Sequence, residues 1–249
     1  MITADKVKNQ IQSLIDTANE KTGKEDVDLT SAVGSLVDGF GGGTNFLDYL
    51  TSYMNTFKNA KFPIDTEMDL FFTQIKGIDE ESTVVSVQSM FQNTSGLKKV
   101  KFKTLNNGRV LNLFSVFADS VDLEIIDLSE FNYEISNLGS FVYNCKKIET
   151  ILGELKFSET GTINFQAFLN CSSLKNIRFA PNCIRVNLNF PYSPLLSDAS
   201  IQSIIDGLAD LTGQTAKTLT VHKDVRAKIE SNPQQLASII DKNWTLASA

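Results

Sequence analysis

The sequence has little of what metal sites and disulfide-bonded folds require. Its 249 residues include one histidine, His222, and three cysteines, none of them in a Cys-x-x-Cys pair. An odd number of cysteines in a chain of this length does not form a disulfide framework, and no zinc spacing, phosphate-binding loop or nucleophile elbow is present. We therefore expect no catalytic residue, no metal and no cofactor, and we predict that the protein is not an enzyme.

Long apolar runs and an excess of positive charge are also missing. No stretch approaches the roughly 20 apolar residues that a membrane helix needs. The first ten residues contain Lys6, Lys8 and Gln10 where a secretory signal needs apolar side chains. The formal net charge of −6 opposes contact with nucleic acid and anionic lipid. We expect a protein made in the cytoplasm without a signal peptide, with neither nucleic acid nor membrane as a partner.

A phrase that recurs about every 26 residues is the main feature that is present. It reads as an apolar residue, a spacer, Asn or Asp, then Cys, Ser or Thr, two mostly polar residues, Leu or Ile, two variable residues, and Val or Ile. Copies start at Phe91, Phe117, Val142 and Phe168, and a looser fifth copy begins at Leu195. Such regular spacing predicts stacked units that bury their apolar side chains against their neighbours.

Each copy predicts a short strand and a bend. The last half of the phrase alternates as a strand does, and the Phe at its head is expected to contact the next unit. The bend positions, at which we expect a structural role in satisfying turn amides, are Asn93, Asp119, Asn144 and Asn170. Cys145 and Cys171 occupy equivalent positions and are expected to form a column of buried thiols, with a disulfide between them left open.

The residues before the repeats predict a helical hairpin. Residues 1–43 contain two amphipathic segments followed by Gly41, Gly42 and Gly43, which are typical of a hinge. A hairpin of this size cannot bury enough surface to be stable alone, so we expect it to serve oligomerisation or attachment. Its apolar contact positions are Val7, Ile11, Leu14, Ile15, Leu36 and Phe40.

The rest of the chain divides around the regular repeats. Residues 44–89 are expected to form an atypical first turn, with a helical face and a strand over Met68 to Ile75. The residues at helical spacing are Phe46, Leu50, Tyr53, Met54 and Phe57. Residues 90–194 hold the regular repeats. Residues 195–249 predict a last repeat followed by helices and short strands that close the open end of the stack.

The repeat phrase resembles a known family. Phe-Leu-Asn-Cys-Ser-Ser-Leu-Lys-Asn-Ile, residues 168–177, resembles the BspA-like class of bacterial leucine-rich repeats. The fold implied is α/β, a leucine-rich-repeat solenoid with an N-terminal helical hairpin and a C-terminal α/β cap. Copies depart from the pattern at Val142, where Phe is usual, and at Gly153, where an apolar residue closes the phrase.

The flanking segments resemble a second group of proteins. Residues 8–16 with 28–33, and residues 204–216 with 243–246, are similar to the ends of tail, baseplate and fibre proteins from phages and prophages of Gram-positive bacteria. The resemblance implies that the hairpin attaches the protein to the virion or to sister subunits, and that the repeat body faces the host surface.

A candidate binding face follows from the strand phrase, whose variable positions should point away from the core. The rows are basic, acidic and basic again, which suits a hydroxyl-rich or charged wall polymer as well as a protein. An equal alternative is that these are solubilising residues with salt bridges between units. The residues are Lys98, Lys99, Lys101, Glu124, Ile125, Asp127, Glu149, Thr150, Lys175, Asn176 and Arg178.

Three functions remain open from the sequence. The leading hypothesis is a virion structural protein of a phage tail, a homo-oligomer for which a trimer is one option, whose repeat body recognises the host surface or decorates the particle. Its partners would be other tail or baseplate proteins and a host wall polysaccharide or surface protein. The alternative is a cell-surface or secreted leucine-rich-repeat adhesin. The third is a wall-polymer hydrolase, whose two carboxylates would come from distant repeats.

Overall fold

A computed structural model describes residues 54–72, 84–104, 110–131, 134–164 and 166–248 of the chain. The strands in these ranges are β1 (Lys61–Phe72), β2 (Val84–Ser86), β3 (Ser95–Thr104), β4 (Val110–Asn112), β5 (Ile125–Glu130), β6 (Glu134–Asn137), β7 (Thr150–Leu152), β8 (Phe157–Thr162), β9 (Leu188–Phe190), β10 (Lys217–Val221) and β11 (Trp244–Ser248). The helices are α1 (Asp198–Gly207), α2 (Lys223–Glu230) and α3 (Pro233–Asp241).

The strands form three sheets in which every pairing is parallel. The first sheet has the order β1-β3-β5-β7, the second has the order β2-β4-β6-β8, and the third has the order β11-β10-β9. Parallel neighbours cannot be joined by a hairpin. The chain therefore alternates between the first and second sheets and returns to each one strand further along, whereas helices join the successive strands of the third sheet.

The repeats that start at Phe91, Phe117 and Val142 each contribute one strand to the first sheet and one to the second, whereas the copy at Phe168 adds only isolated bridges at Asn176 and Phe179. In the first sheet Val100 lies opposite Ile126, and Ile126 lies opposite Ile151. In the second sheet Leu111 lies opposite Ile135. Each partner is one repeat further along the chain, so the period of the sequence becomes a lateral stack of parallel strands.

Tight turns connect the second sheet back to the first. Each turn contains two left-handed residues four positions apart, such as Ser89 and Asn93 with φ of 55° and 59°. An L-residue in this conformation cannot continue a right-handed helix, and Asn and Asp tolerate it better than most side chains. The equivalent pairs in the next two repeats are Ser115 with Asp119 and Ser140 with Asn144.

The predicted fold class, an α/β leucine-rich-repeat solenoid with an N-terminal helical hairpin and a C-terminal α/β cap, is therefore wrong. The described residues form mostly parallel sheets, and their three helices all follow residue 197. The leucine spacing suggested that class, but the polar stretch of each repeat forms a left-handed turn that no α-helix accommodates. The hairpin predicted for residues 1–43 lies outside the described residues, and the domain boundaries stay a prediction.

The head residues of the repeats contact one another inside the stack, as expected. Phe91, Phe117 and Phe168 are fully buried, and the ring centroids of Phe91 and Phe117 are 5.5 Å apart. Where Val142 replaces the usual Phe, its neighbour Phe141 supplies the ring, 5.7 Å from Phe117 and 6.4 Å from Phe168. The column of aromatic rings is therefore continuous, and it forms the centre of one hydrophobic core.

The first turn and one glycine show how the stack departs from regularity. Residues 54–59 form a turn, and not the helix predicted from the spacing of Met54 and Phe57. The Phe57 ring stacks on the Phe91 ring, with the two ring centroids 5.0 Å apart.

Gly153 has φ of 89°, and a Cβ there would lie 2.5 Å from the carbonyl oxygen of Leu128. Glycine is required at this position because a side chain would collide with the neighbouring repeat.

The residues after 195 form α1, β10, α2, α3 and β11 in that order. Ile201 and Ile204 lie in α1, so the looser fifth copy of the phrase is a helix and not another turn. The three helices begin at capping side chains that accept hydrogen bonds from backbone N–H groups. These caps are Ser197 for α1, His222 for α2 and Asn232 for α3.

Candidate functional site

The predicted binding residues lie along the first sheet in rows that cross the strands. Lys99 lies opposite Ile125, Ile125 opposite Thr150, and Thr150 is bridged to Asn176. Neighbouring parallel strands are about 4.8 Å apart, so equivalent side chains of successive repeats are direct neighbours. In this row only Lys99 is charged, and the three residues that follow it are uncharged.

A second row contains half of the predicted charged residues, namely Lys98, Glu124, Glu149 and Lys175. The backbone N–H of Glu124 donates to the carbonyl of Lys98, that of Glu149 to Glu124, and that of Lys175 to Glu149, each at 2.9 Å. Lys98 Nζ is 3.2 Å from Asp65 and 3.7 Å from Glu124, and Lys175 Nζ is 3.0 Å from Glu149. The hydrogen bond to Asp65 and the charges of both carboxylates raise the pKa of Lys98.

Asp127 does not lie on the open face as predicted. Asp127 is only 8% exposed. Its Oδ1 accepts hydrogen bonds from the backbone N–H and the hydroxyl of Ser129. Burial acts to raise the pKa of Asp127, but the hydrogen bonds from Ser129 and the charge of Lys101 leave the pKa below its usual value. The carboxylate therefore fixes the end of β5 and is not accessible to a ligand.

The other predicted charges of this face are also paired with neighbours. Lys99 Nζ is 3.9 Å from Glu67, and Arg178 lies 3.1 Å from Glu154. Lys101 contacts both Asp127 and Glu130. These ion pairs agree with the alternative that the rows are solubilising residues bridged between units. Exposed pairs of this kind contribute about 0–1 kcal/mol each, and the assignment of the face as a binding surface stays a prediction.

The cysteine column is present, and its thiols are free. Cys145 Sγ donates to the carbonyl of Phe117 at 2.9 Å, and Cys171 Sγ donates to that of Val142 at 3.1 Å. Ser120 occupies the same position in the preceding repeat and donates to the carbonyl of Phe91 at 2.7 Å. Burial raises the pKa of Cys145 to about 12. A thiol with so high a pKa is inert at neutral pH, so the column is structural.

The bend residues bond to one another as well as shaping the turn. Asn93 Nδ2 donates to Asn59 Oδ1 at 2.9 Å, Asn144 Nδ2 donates to Asp119 Oδ1 at 2.8 Å, and Asn170 Nδ2 donates to Asn144 Oδ1 at 2.6 Å. The sequence predicted a structural role for these residues but not this ladder, because the bond partners lie in other repeats. The carboxylate side chain of Asp119 has no N–H to donate, so the ladder of side-chain hydrogen bonds is interrupted between Asp119 and Asn93.

A second asparagine column was missed by the sequence analysis. Asn112 and Asn137 end β4 and β6, and Asn164 lies two residues after the end of β8. Each side-chain oxygen accepts the backbone N–H two residues later, at 3.0, 2.8 and 3.1 Å. These are Asx turns, which set the direction in which the chain leaves a strand. Their spacing of one repeat could have shown them, had the phrase been extended towards its N-terminal side.

The single histidine of the chain, His222, lies outside the repeats and has a structural role. His222 Nδ1 accepts the backbone N–H of Asp224 at 3.2 Å as the N-cap of α2. Within the described ranges, no group of three or more His, Cys, Asp or Glu side chains could hold a metal ion. In the same part of the chain, no helix has the length and apolar character needed to cross a membrane.

The predicted attachment residues cannot be placed. Val7, Ile11, Leu14, Ile15, Leu36 and Phe40 all lie outside the described residues. Their role in oligomerisation therefore stays a prediction.

Comparison with protein-family models, with curated proteins and with solved structures finds no match for this chain. The resemblance to BspA-like repeats and to phage tail proteins thus stays a prediction from the sequence motifs.

Proposed function

We propose that this chain is a virion structural protein of a phage or phage-like tail, assembled through its N-terminal segment, whose repeat body takes part in host-surface recognition or particle decoration. The proposal combines the resemblance of both flanks to tail, baseplate and fibre proteins with the architecture of the repeats. Its partners would be other tail proteins, sister copies of this chain, and a polymer or protein of the host surface.

The observation that carries the proposal is the lateral stacking of repeats. Strands of successive repeats lie side by side in parallel, from β1 to β7 in the first sheet and from β2 to β8 in the second. Stacking of this kind creates broad side surfaces whose chemistry is set by outward residues that the core does not constrain. Surfaces of this kind suit recognition because outward residues can change without loss of the fold.

The internal contacts of the stack also support a structural component. Hydroxyl, thiol and amide side chains in equivalent positions bond from one repeat to the next, as Ser120 and Cys145 do. The ion pairs of the first sheet likewise join successive repeats, as between Lys175 and Glu149. These contacts hold the repeats in a fixed lateral register, which a projecting part of a particle requires.

Particles purified from the strain that encodes the chain test the proposal directly. We expect mass spectrometry to detect the chain in intact tails at a fixed ratio to a major tail protein, and antibody labelling to place it on the tail. Purified particles that lack the chain would contradict the proposal.

A second experiment tests the assembly role of the N-terminal segment. Native mass spectrometry of the full-length chain should show a homo-oligomer, and a chain that begins at Thr44 should be monomeric. As a matched control, the full-length Lys8→Ala variant should keep the oligomer, since Lys8 lies on the polar side of the predicted helix. A truncated chain that stays oligomeric would place the assembly contacts elsewhere.

A further inference from the structure

Apart from Lys217, which lines a cleft where β10 begins, the outward side chains of β9 and β10 in the third sheet are uncharged. Leu219 and Val221 of β10 are buried, and the alternation of a strand turns Thr218 and Thr220 to the other face. Asn189 lies opposite Thr220 in the neighbouring strand. Amide and hydroxyl side chains therefore stand next to each other on this face.

This face forms the floor of an open cleft of about 400 Å³. Asn187 and Asn189 line it from one strand and Thr218 and Thr220 from the next, while Lys217 stands where β10 begins. Ile163 and Val186 supply its apolar lining. Among the residues that the structure describes, no Asp or Glu lines the cleft, although the whole chain contains 29 acidic residues.

The polar groups of the cleft have free hydrogen-bonding capacity. Among the residues that the structure describes, no hydrogen bond or ion pair engages the side chains of Asn189, Lys217, Thr218 or Thr220. Asn187 is engaged, since its Oδ1 accepts the backbone N–H of Thr218 at 2.9 Å. The free groups are half-buried, so a ligand in the cleft would meet donors and acceptors that are already positioned and only partly hydrated.

The chemistry of these groups defines the ligand class. An amide offers both a donor and an acceptor, and a threonine hydroxyl does the same, which matches adjacent hydroxyl groups of a ligand. Apolar side chains such as Ile163 and Val186 contact the C–H surface of such a ligand. Lys217 adds a positive charge with no acidic neighbour in the cleft, which favours a negatively charged substituent.

We propose that this cleft binds a hydroxyl-rich polymer segment that carries carboxylate or phosphate groups, with Lys217 pairing the anionic group and Asn189, Thr218 and Thr220 binding the hydroxyls. The inference deepens the proposed host-surface recognition and rests on it, because it names the ligand chemistry and the part of the surface that contacts it.

The test uses the full-length protein and three defined probes. The probes are an oligomer of galacturonic acid, which carries carboxylates, an oligomer of glycerol phosphate, which carries phosphates, and a neutral oligomer of N-acetylglucosamine. Isothermal titration calorimetry should detect saturable binding of one or both anionic probes. The two anionic probes separate the two sources of negative charge, and binding should weaken with added salt because Lys217 is partly exposed to solvent.

Variants locate the site. Asn189→Ala should weaken binding of the anionic probe about 5- to 10-fold, since it removes a hydrogen-bonding group worth roughly 1 kcal/mol. Lys217→Met should remove the preference for the anionic probes over the neutral one. Lys146→Met is the matched control, because Lys146 is an exposed lysine outside both the cleft and the candidate binding face of the first sheet, and its loss should leave binding unchanged. Fluorescence of Trp244, which is buried in β11 next to β10, reports whether each variant is folded.

Three results would overturn the inference. These are the absence of binding to both anionic probes, equal binding of the neutral probe, and undiminished binding by a folded Asn189→Ala variant. Incorporation into particles separates this inference from the proposed function. A chain found in tails that binds no probe would overturn the inference alone, whereas a chain that binds but is absent from tails would overturn the tail assignment.

Discussion

The first and third sheets are both parallel and both cover the same core, yet their outward faces differ. On the first sheet the predicted charges are engaged by side chains of neighbouring strands, as Lys98 is by Asp65 and Glu124. On the third sheet the outward groups of the cleft are uncharged except for Lys217, and the amide of Asn189 has no partner among the described residues.

The difference shows that charged side chains on the surface of one repeat are paired by side chains of the neighbouring repeat. Equivalent residues of successive repeats lie about 4.8 Å apart, so a charge of one repeat readily meets the opposite charge of the next. A charged ligand that binds such a face must displace these ion pairs. The third sheet falls outside the regular repeat and has no such neighbours, so its polar groups are available. We therefore expect the two faces to respond differently to mutation.

The largest effect is expected from the core that both sheets share. Phe117 is fully buried and its ring contacts Phe91, Phe102 and Phe141, so Phe117→Ala should lower the free energy of unfolding by about 3–5 kcal/mol. Urea unfolding followed by circular dichroism and by Trp244 fluorescence measures the loss. Because the core is continuous, both signals should shift together.

Val121→Ala serves as its control, since Val121 is 51% exposed and should change stability by less than about 0.5 kcal/mol. If the Trp244 transition kept its wild-type midpoint in Phe117→Ala, the two sheets would be independent units and the comparison between them would need a different explanation.

A smaller effect is expected from a contact found only beside the third sheet. Lys242 Nζ donates to the carbonyls of Ile205 and Leu208 at the end of α1, at 3.0 and 2.9 Å. Lys242→Met should cost about 2 kcal/mol in chemical unfolding, because it leaves these carbonyls without their charged donor. Lys223→Met, at an exposed position, should have almost no effect. Equal stability of the two variants would show that the capping contact contributes nothing.

A gain in stability is expected within the repeat stack. Asp119→Asn supplies the missing N–H between Asp119 and Asn93 and should complete the amide ladder, raising the free energy of unfolding by about 0.5–1 kcal/mol. The reverse exchange, Asn144→Asp, removes the N–H that donates to Asp119 and should destabilise the protein. Thermal unfolding of the two variants measures both changes. A loss of stability in Asp119→Asn would mean that the ladder does not extend across this position.

The smallest effect concerns pH and the ion pairs between repeats. Asp122 accepts the backbone N–H of Gly96 and pairs with Lys147, both at 2.8 Å, and these contacts lower the pKa of Asp122. A lowered pKa in the folded state gives stability that is present above the unfolded-state pKa of about 4 and is lost as the pH falls below it.

Asp122→Asn should therefore flatten the dependence of stability on pH between about pH 5 and pH 2, by less than about 1 kcal/mol because the pair is partly exposed. Urea unfolding at a series of pH values measures this slope. An unchanged slope would show that the pair does not contribute to acid stability.

Much of the repeat could be predicted from the sequence, and some of it could not. The spacing of Phe91 and Phe117 correctly predicted contact between the heads of neighbouring repeats, since a period in the chain must become a period in space once units stack. The same spacing did not reveal the backbone conformation of the turns that connect the second sheet to the first. Left-handed turns at Ser89 and Asn93 depend on φ angles, and serine gives no strong signal for them.

The candidate site shows the same division. The alternation of β3 placed Lys99 on the outward face, but whether its ammonium is free depends on Glu67, which lies on the neighbouring strand and 32 positions earlier in the chain. The cleft on the third sheet was missed because its residues come from β10, from β9 with the two residues before it, and from the residue after β8, three segments with no shared motif.

The sequence by itself determined the period, the buried side chains at the heads of the repeats and the column of thiols, because these follow from identical residues recurring at a constant distance along the chain. Only the tertiary structure decided that the connections are left-handed turns, that the charges of the first sheet are paired, and that the side chains of Asn189, Thr218 and Thr220 have no partner among the described residues. These properties depend on which residues from distant parts of the chain become neighbours, and that is set by strand register and not by local composition.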